Sequence, residues 1–332
     1  MENLILLFLG ISLLFYVLLG GADFGGGIVE YFTGNKGINT VSKAIAPVWE
    51  ANHVWLILVI VILFVGFPEV YTSISTYMHI PLLLILVGII FRGSAFAFRY
   101  YDIDEGSYKQ LYTSFFRIFS IFTPFFLGVT LGSVILGEIT TDLSKGFVDI
   151  YIYPWINWFS MSMGVFVTIL FTFLASVFLI GETEEKARAK MQKITKFSLV
   201  ALIIAGGFVF IMAEIDGLHL LNQFFRSPIS LIAIGIATVM LPFLWRLINK
   251  PNDLWLRLIA GAQTTLIVVG WFAVQFPVLV KIEGGNNLTI YNAIAPDEVI
   301  SNLLIALAIG TMIIIPSIIY LFKVFKFDNT PY

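Results

Sequence analysis

Glu50, Asn52 and His53 sit inside one of the apolar runs of this chain, in APVWEANHVW followed by LILVIVILFVGF. On a helix, the i, i+3 spacing of Glu50 and His53 puts a carboxylate and an imidazole on one face, with the Asn52 amide beside it. Groups of this kind, reached by water from one side, can pass protons. The same residues also admit a structural reading, in which a cation neutralises the carboxylate and Asn52 and His53 cap helix backbones. Both readings stay open on these residues alone.

Two neighbouring segments add charge. GGADFGGGIVE carries Asp23 and Glu30, and FRGSAFAFR carries Arg92. An unpaired guanidinium within a membrane span costs about 2.5–3.5 kcal/mol on insertion scales. Arg92 is therefore expected to act as electrostatic partner to a carboxylate at similar depth. The glycines around Asp23 let another helix approach closely or let the backbone bend.

The setting of these residues follows from composition. Of 332 residues, 59% are hydrophobic and only 12% charged, against roughly 25% charged in ordinary soluble domains. Too few polar side chains exist to cover a soluble particle, so the chain reads as an all-α integral membrane protein. A net charge of −2 offers no field for nucleic acid, and no nucleic-acid partner is expected. The absence of Cys excludes disulfides, Fe–S clusters and thiolate metal sites, and three histidines are too few for a multi-haem or zinc-cluster protein. No metal site is expected.

A span needs about 20 mostly apolar residues. Nine stretches qualify, at about 4–21, 46–67, 78–98, 115–136, 158–180, 197–214, 229–247, 257–280 and 299–322, and they fill residues 1–332 as a single membrane domain without an evident internal repeat. The first is read as a retained span, because no positive n-region precedes it. Of the 19 Lys and Arg, all but Lys145, Arg226 and Lys281 fall on the connections after odd-numbered spans or beside them. The positive-inside rule then places the N-terminus outside and the C-terminus in the cytoplasm. Tyr151, Tyr153, Trp155 and Trp158 on one side, with Trp245 and Trp255 on the other, read as interface anchors. The charged run from Glu182 to Lys190 reads as a solvated connector.

If the second span ends outward at Phe67-Pro68-Glu69, its inner edge lies near Val48, with Glu50 roughly 3 Å and His53 roughly 8 Å inside it. Pro47 then falls in the first helical turn, where its missing N–H matters least. Asp216 and His219 read as caps or cross-links of the outer surface, and Gln275-Phe276-Pro277 as a helix terminator.

APVWEANHVW, with GADFGGG before it and FRGSAFAFR after it, resembles subunit II of the cytochrome bd-type quinol (ubiquinol or menaquinol) oxidases. Looser likenesses run through Glu214-Ile215-Asp216-Gly217, Phe276-Pro277 and LTIYNA at 288–293, so the resemblance spans essentially the whole chain. It implies a nine-span, haem-free subunit of the prokaryotic plasma membrane, paired with a subunit I that carries haem b, haem d and the quinol site. The resemblance leaves room for a small single-span subunit and for a structural quinone or lipid. The complex it implies oxidises quinol and reduces O2 to water with protons taken from the cytoplasm, no catalytic residue lying in this chain.

Residue by residue, the resemblance places Glu50, Asp23 and His53 on a proton path, Asn52 as polar support, and Trp55 at a tryptophan associated with an oxygen route. Some members carry Gln where His53 stands and GVG where this chain has GGG. Two other readings are an ion-coupled secondary transporter, which predicts inverted repeats and broken midplane helices, and a purely structural assembly subunit.

Overall fold

The computed structural model describes residues 1–46, 49–101, 107–250, 253–284 and 287–324, without the side chains of 35, 36, 39, 50, 51, 100, 101, 107, 186 and 322. Pro47, Val48 and the Glu50 side chain thus lie outside the described residues. The fold is a helical bundle. Among the described residues, eight helices are long and apolar enough to cross a membrane, or nine if one bent pair counts as a span. A dehydrated backbone must satisfy its own N–H and C=O groups, which is why runs of this length and apolarity wind into helices.

The first span differs most from expectation. Helix α1 (Glu2–Phe15), a π-helical turn (Tyr16–Gly20) and α2 (Gly21–Thr33) form one continuous 32-residue helix. At 1.5 Å per residue that is about 48 Å, well beyond a 30 Å hydrocarbon core. The helix therefore does not run out at 21; GADFGGG continues it, and its glycines serve close packing. A Cβ on Gly25 would stand 1.9 Å from the Phe171 carbonyl oxygen.

A short helix α3 (Ile38–Ile45) leads to α4 (Trp49–Gly66), which turns by 114° into α5 (Pro68–Tyr77) at the Phe67-Pro68 step. Helices α6 (His79–Tyr101) and α7 (Ser107–Leu136) follow, then the single turn α8 (Phe147–Tyr151) and α9 (Trp158–Ile180). The axis of the bundle is α9: 78% of its span is buried, against at most 44% for any other candidate span. It packs against α2, α7 and the long helix α10 (Glu185–Ile215). The α7 contact is again backbone to backbone, since a Cβ on Gly128 would lie 2.4 Å from the Met163 carbonyl oxygen. Glu185–Lys190, within the expected connector, forms the first turns of α10.

The remaining elements are α11 (Leu220–Arg226), α12 (Pro228–Leu247), α13 (Asp253–Gln275), the strands β1 (Val278–Val280) and β2 (Leu288–Thr289), and α14 (Asp297–Phe322). The eighth span ends at Gln275 rather than near 280. Val278–Val280 leaves the helix to pair antiparallel with β2, Val278 opposite Thr289 and Val280 opposite Leu288. This hairpin closes over one end of the bundle. Lys281 N–H donates to the Val134 carbonyl at 3.1 Å, Glu283 N–H to that of Ile139 at 2.8 Å, and Ala295 N–H to that of Gly66 at 2.9 Å.

At the same hairpin end, Asp216 Oδ2 accepts the Phe159 N–H at 2.6 Å and Asn157 Oδ1 accepts the Ser160 N–H at 2.7 Å, so two side chains satisfy the first turn of α9. Partial burial, helped by the charges of Asp216 and Glu283, raises the Glu138 carboxyl above the usual carboxylate range. A raised folded-state pKa means that ionisation costs stability at neutral pH and costs nothing once pH falls below the unfolded value. Glu138→Gln is therefore expected to raise stability slightly at pH 7, by no more than about 0.5 kcal/mol because the side chain is exposed and its charge screened by solvent. The gain should vanish below about pH 4; thermal melts of the detergent-solubilised protein at both pH values check it.

Candidate functional site

At the end opposite the hairpin, α2, α6 and α7 enclose two storeys of buried charge. In the first, Arg92 of α6 donates Nη1–H to Asp23 Oδ2 at 3.0 Å and Nη2–H to Asp23 Oδ1 at 2.9 Å and to the Asp23 carbonyl at 2.8 Å. Its Nε–H donates to Ser120 Oγ of α7 at 3.0 Å. Arg92 is 2% exposed and Asp23 3%. The guanidinium also lies 4.6 Å from the Phe24 ring centroid and 5.0 Å from that of Phe116, so apolar faces close around it while its hydrogen bonds are met.

The second storey lies seven residues further along both helices. Glu30, fully buried, accepts from Arg99 Nη1 at 2.8 and 2.9 Å through its two oxygens and from Arg117 Nε at 3.0 Å. Arg99 Nη2 donates to Ser42 Oγ of α3 at 3.0 Å. Phe116 separates the storeys, its ring 4.4 Å from the Arg99 guanidinium and 5.0 Å from that of Arg92. Asp23 with Arg92 and Glu30 with Arg99 share one sequence offset of 69 residues. That constancy requires α2 and α6 to run in the same direction, with residues one heptad, or two turns, apart on each helix facing successive partners.

The sequence-predicted residues divide around this ladder. Asp23 and Arg92 meet directly. His53 is half-buried and approaches Phe24 edge-on, ring centroids 6.1 Å apart, so it reaches the ladder through the phenyl that also covers Arg92. Asn52 is buried on the same helix. Glu50 lies in the first turn of α4, with its side chain outside the described residues. Trp55 is buried against Phe15 at 4.6 Å between ring centroids, and its Nε1–H meets no hydrogen-bond acceptor.

Arg99, Arg117 and Ser120 were not singled out by sequence reasoning. The signal for Arg99 was present: Asp23/Glu30 and Arg92/Arg99 repeat the same seven-residue spacing. The other two histidines are engaged locally, His79 Nδ1 lying 2.8 Å from the Thr76 carbonyl and His219 Nδ1 3.1 Å from Glu214 Oε2. Neither faces a second ligand-type side chain, and among the described residues no group of three or more His, Asp or Glu is arranged to hold a metal.

The chain matches known proteins along nearly its whole length. The family described as cytochrome bd terminal oxidase subunit II matches residues 1–325. The cytochrome bd ubiquinol oxidase subunit 2 of Bacillus subtilis is 27% identical over 330 residues, covering 96% of this chain and 94% of the relative. The cytochrome bd-I ubiquinol oxidase subunit 2 of Escherichia coli is 27% identical over 222 residues, 64% of this chain and 57% of its own length. Among solved structures, a chain of the bd oxidase from Geobacillus thermodenitrificans superposes with a TM-score of 0.78 at 18% identity, covering 98% of this chain and all of that one. Sequence family, multi-pass helical fold and a buried charge ladder thus coincide, and the chain belongs to the family of cytochrome bd terminal oxidase subunit II.

Proposed function

We propose that this chain is the haem-free half of a quinol:oxygen oxidoreductase of the bacterial plasma membrane, holding a haem-bearing subunit I and feeding it protons from the cytoplasm. Haems b and d on that partner supply the electron transfer and oxygen reduction; the residues of this chain bind, position and move protons. Residues 1–332 act as one nine-span membrane domain, with the N-terminus outside and the ladder end in the cytoplasmic half. A small single-span subunit and a structural quinone or lipid would be further partners of the assembled complex.

The observation that carries this reading is the burial of the ladder, with Asp23, Glu30, Arg92 and Arg99 all at most 5% exposed. Membrane-buried ionisable groups are costly and mark proton or ion routes by default. Here two carboxylates and three arginines line up along α2, α6 and α7 at the end of the bundle away from the hairpin. In this reading Glu50 and His53, both on the neighbouring α4, take up protons entering at that end, with Asn52 as polar support. Asp23, both of whose oxygens are held by Arg92, sets the field they work in and joins the route when that pair exchanges hydrogen bonds with water. Trp55 would border the apolar passage for O2.

A second reading, assembly alone, is favoured by the same Asp23–Arg92 pair, since a carboxylate with both oxygens bound to a guanidinium needs no proton to be stable. Glu50→Gln in the co-purified heterodimer separates the two. With the haem absorption spectrum intact, proton delivery predicts that turnover falls by about 10²-fold and that its pH profile shifts. Unchanged turnover across pH, with haem intact, leaves only the assembly role. Purified alone, the chain should lack haem absorption and catalyse no solute flux; flux by the lone chain would favour a transporter.

A further inference from the structure

The first span carries a feature that the ladder does not use. Between α1 and α2 the helix widens into a π turn, the Gly21 N–H reaching back to the carbonyls of Tyr16 and Val17. Single π turns inside α-helices are rare and frequent at functional sites. Tyr16 opens this turn, is 4% exposed, and its hydroxyl has no hydrogen-bond partner. A buried hydroxyl left this way calls for water or another polar group.

The direction of the ring tells which group. Side chains on a helix ordinarily tilt toward its N-terminus. Tyr16 leans the other way, over Gly20: a Cβ on Gly20 would stand 3.0 Å from Tyr16 Cε2 and 3.1 Å from Cδ2. Gly20 is three residues before Asp23, on the same face. The ring thus lies on the face that carries Asp23, and Asp23 and Arg92 are the charges near enough to act on its hydroxyl. Each Asp23 oxygen accepts one Arg92 N–H and keeps a further lone pair for another donor. On the facing helix α4, which packs against the π turn, Trp55 Nε1–H is a second buried donor without an acceptor. An enclosed water needs two to four such polar partners.

We propose that an ordered water binds between the Tyr16 hydroxyl and the Asp23 carboxylate, making Tyr16 the next polar station beyond the ladder. The water site stands on this geometry alone, whereas its role in transfer rests on the proton-delivery reading above. In transfer, the hydroxyl oxygen accepts a proton from the water, which regains one from the cytoplasmic side of the route, while the hydroxyl's own proton passes to an oxygen acceptor on subunit I, so Tyr16 and the water begin and end neutral. The route thereby gains the reach of one bridging water, about 5–6 Å between the carboxylate and the hydroxyl.

The test uses the heterodimer with subunit I, as wild type, Tyr16→Phe and Asp23→Asn. A high-resolution cryo-EM map of the wild type should show water density within hydrogen-bonding distance of both Tyr16 Oη and Asp23, and that density should be lost in Tyr16→Phe. Phe keeps the ring and its packing, so haem content should not change. The rate of proton uptake should fall by about tenfold, with an altered solvent-deuterium effect. A dry hydroxyl in the wild type overturns the site. Unchanged uptake and isotope effect in Tyr16→Phe, with Asp23→Asn slowed, overturn the relay and leave the proton-delivery reading standing. Normal uptake in Asp23→Asn overturns the part of that reading on which the relay rests, and with it the relay, while the water density decides the site independently.

Discussion

Arg92→Leu is expected to destabilise the protein by about 3–5 kcal/mol, the range for removing one partner of a buried ion pair. The substitution leaves the Asp23 carboxylate, itself 3% exposed, without either of the N–H groups now bound to its oxygens, and it strips the Asp23 carbonyl and Ser120 Oγ of a donor as well. Arg92 also fills the space between Phe24 and Phe116, so a cavity adds to the electrostatic loss. Asp23→Leu alone should be comparably harmful, because it strands the guanidinium. The double variant Asp23→Leu/Arg92→Leu should recover much of the loss, since replacing both charges with apolar groups removes the desolvation penalty along with the attraction. Denaturant unfolding of the four proteins in mixed micelles gives the coupling energy directly. A double variant no more stable than the worse single one would show that the two charges are not the principal partners the hydrogen-bond geometry makes them. Ser120→Ala, which removes one neutral acceptor from the same guanidinium, should cost only about 1 kcal/mol.

The parts of this architecture that were legible in the sequence are those set by dehydration. Long apolar runs in a hydrocarbon medium have one backbone solution, so eight of the expected spans coincide with helices that meet the criteria for a crossing, and the remaining one with α4, whose bend into α5 falls at Phe67-Pro68 as its proline suggests. What was not legible turned on groups whose behaviour depends on a neighbour. GADFGGG reads locally as the end of a helix, because each glycine disfavours helix by about 1 kcal/mol. It stays helical because the glycines admit α9 to backbone contact, a gain no single-segment pattern displays. Val278–Val280 is apolar enough to prolong the eighth span, yet three apolar residues fit helix and strand equally, and pairing with Leu288–Thr289 decides the matter.

The candidate site shows the same division. Depth arguments brought Asp23 and Arg92 to one level, and one turn of reasoning more, comparing spacings across the two helices, would have added Arg99 as the partner of Glu30. Arg117 had no such signature. It reaches Glu30 from α7, antiparallel to both, and its position relative to that carboxylate is fixed only once α7 is packed. Tyr16 was hidden for a third reason: a π turn shifts the helical register by one residue, so a face drawn with the 3.6-residue period misplaces everything before it.

Gly25→Ala should be the most damaging single-methyl change in the first span. The added Cβ would lie 1.9 Å from the Phe171 carbonyl oxygen, 2.5 Å from its carbon and 2.7 Å from Ala175 Cβ. Two of those three atoms are backbone of the central helix, so no rotamer change relieves the contact and α2 must move away from α9 by more than 1 Å. Overpacking of a tight interface costs about 1–3 kcal/mol, and here the displacement carries Asp23 and Glu30 away from arginines held by α6 and α7, adding strain in hydrogen bonds of 2.8–3.0 Å. A loss of about 3 kcal/mol or more is expected. Gly10→Ala is the matched control, lying in the same helix with nothing within 4 Å of its new methyl. It should be neutral or stabilise by up to about 1 kcal/mol, the helix propensity difference between the two residues. Opposite signs for one substitution, fifteen residues apart on one helix, would locate the effect in the α2–α9 contact; equal losses at both positions would mean that glycine serves the flexibility of the whole span and that the charge ladder does not depend on that close approach.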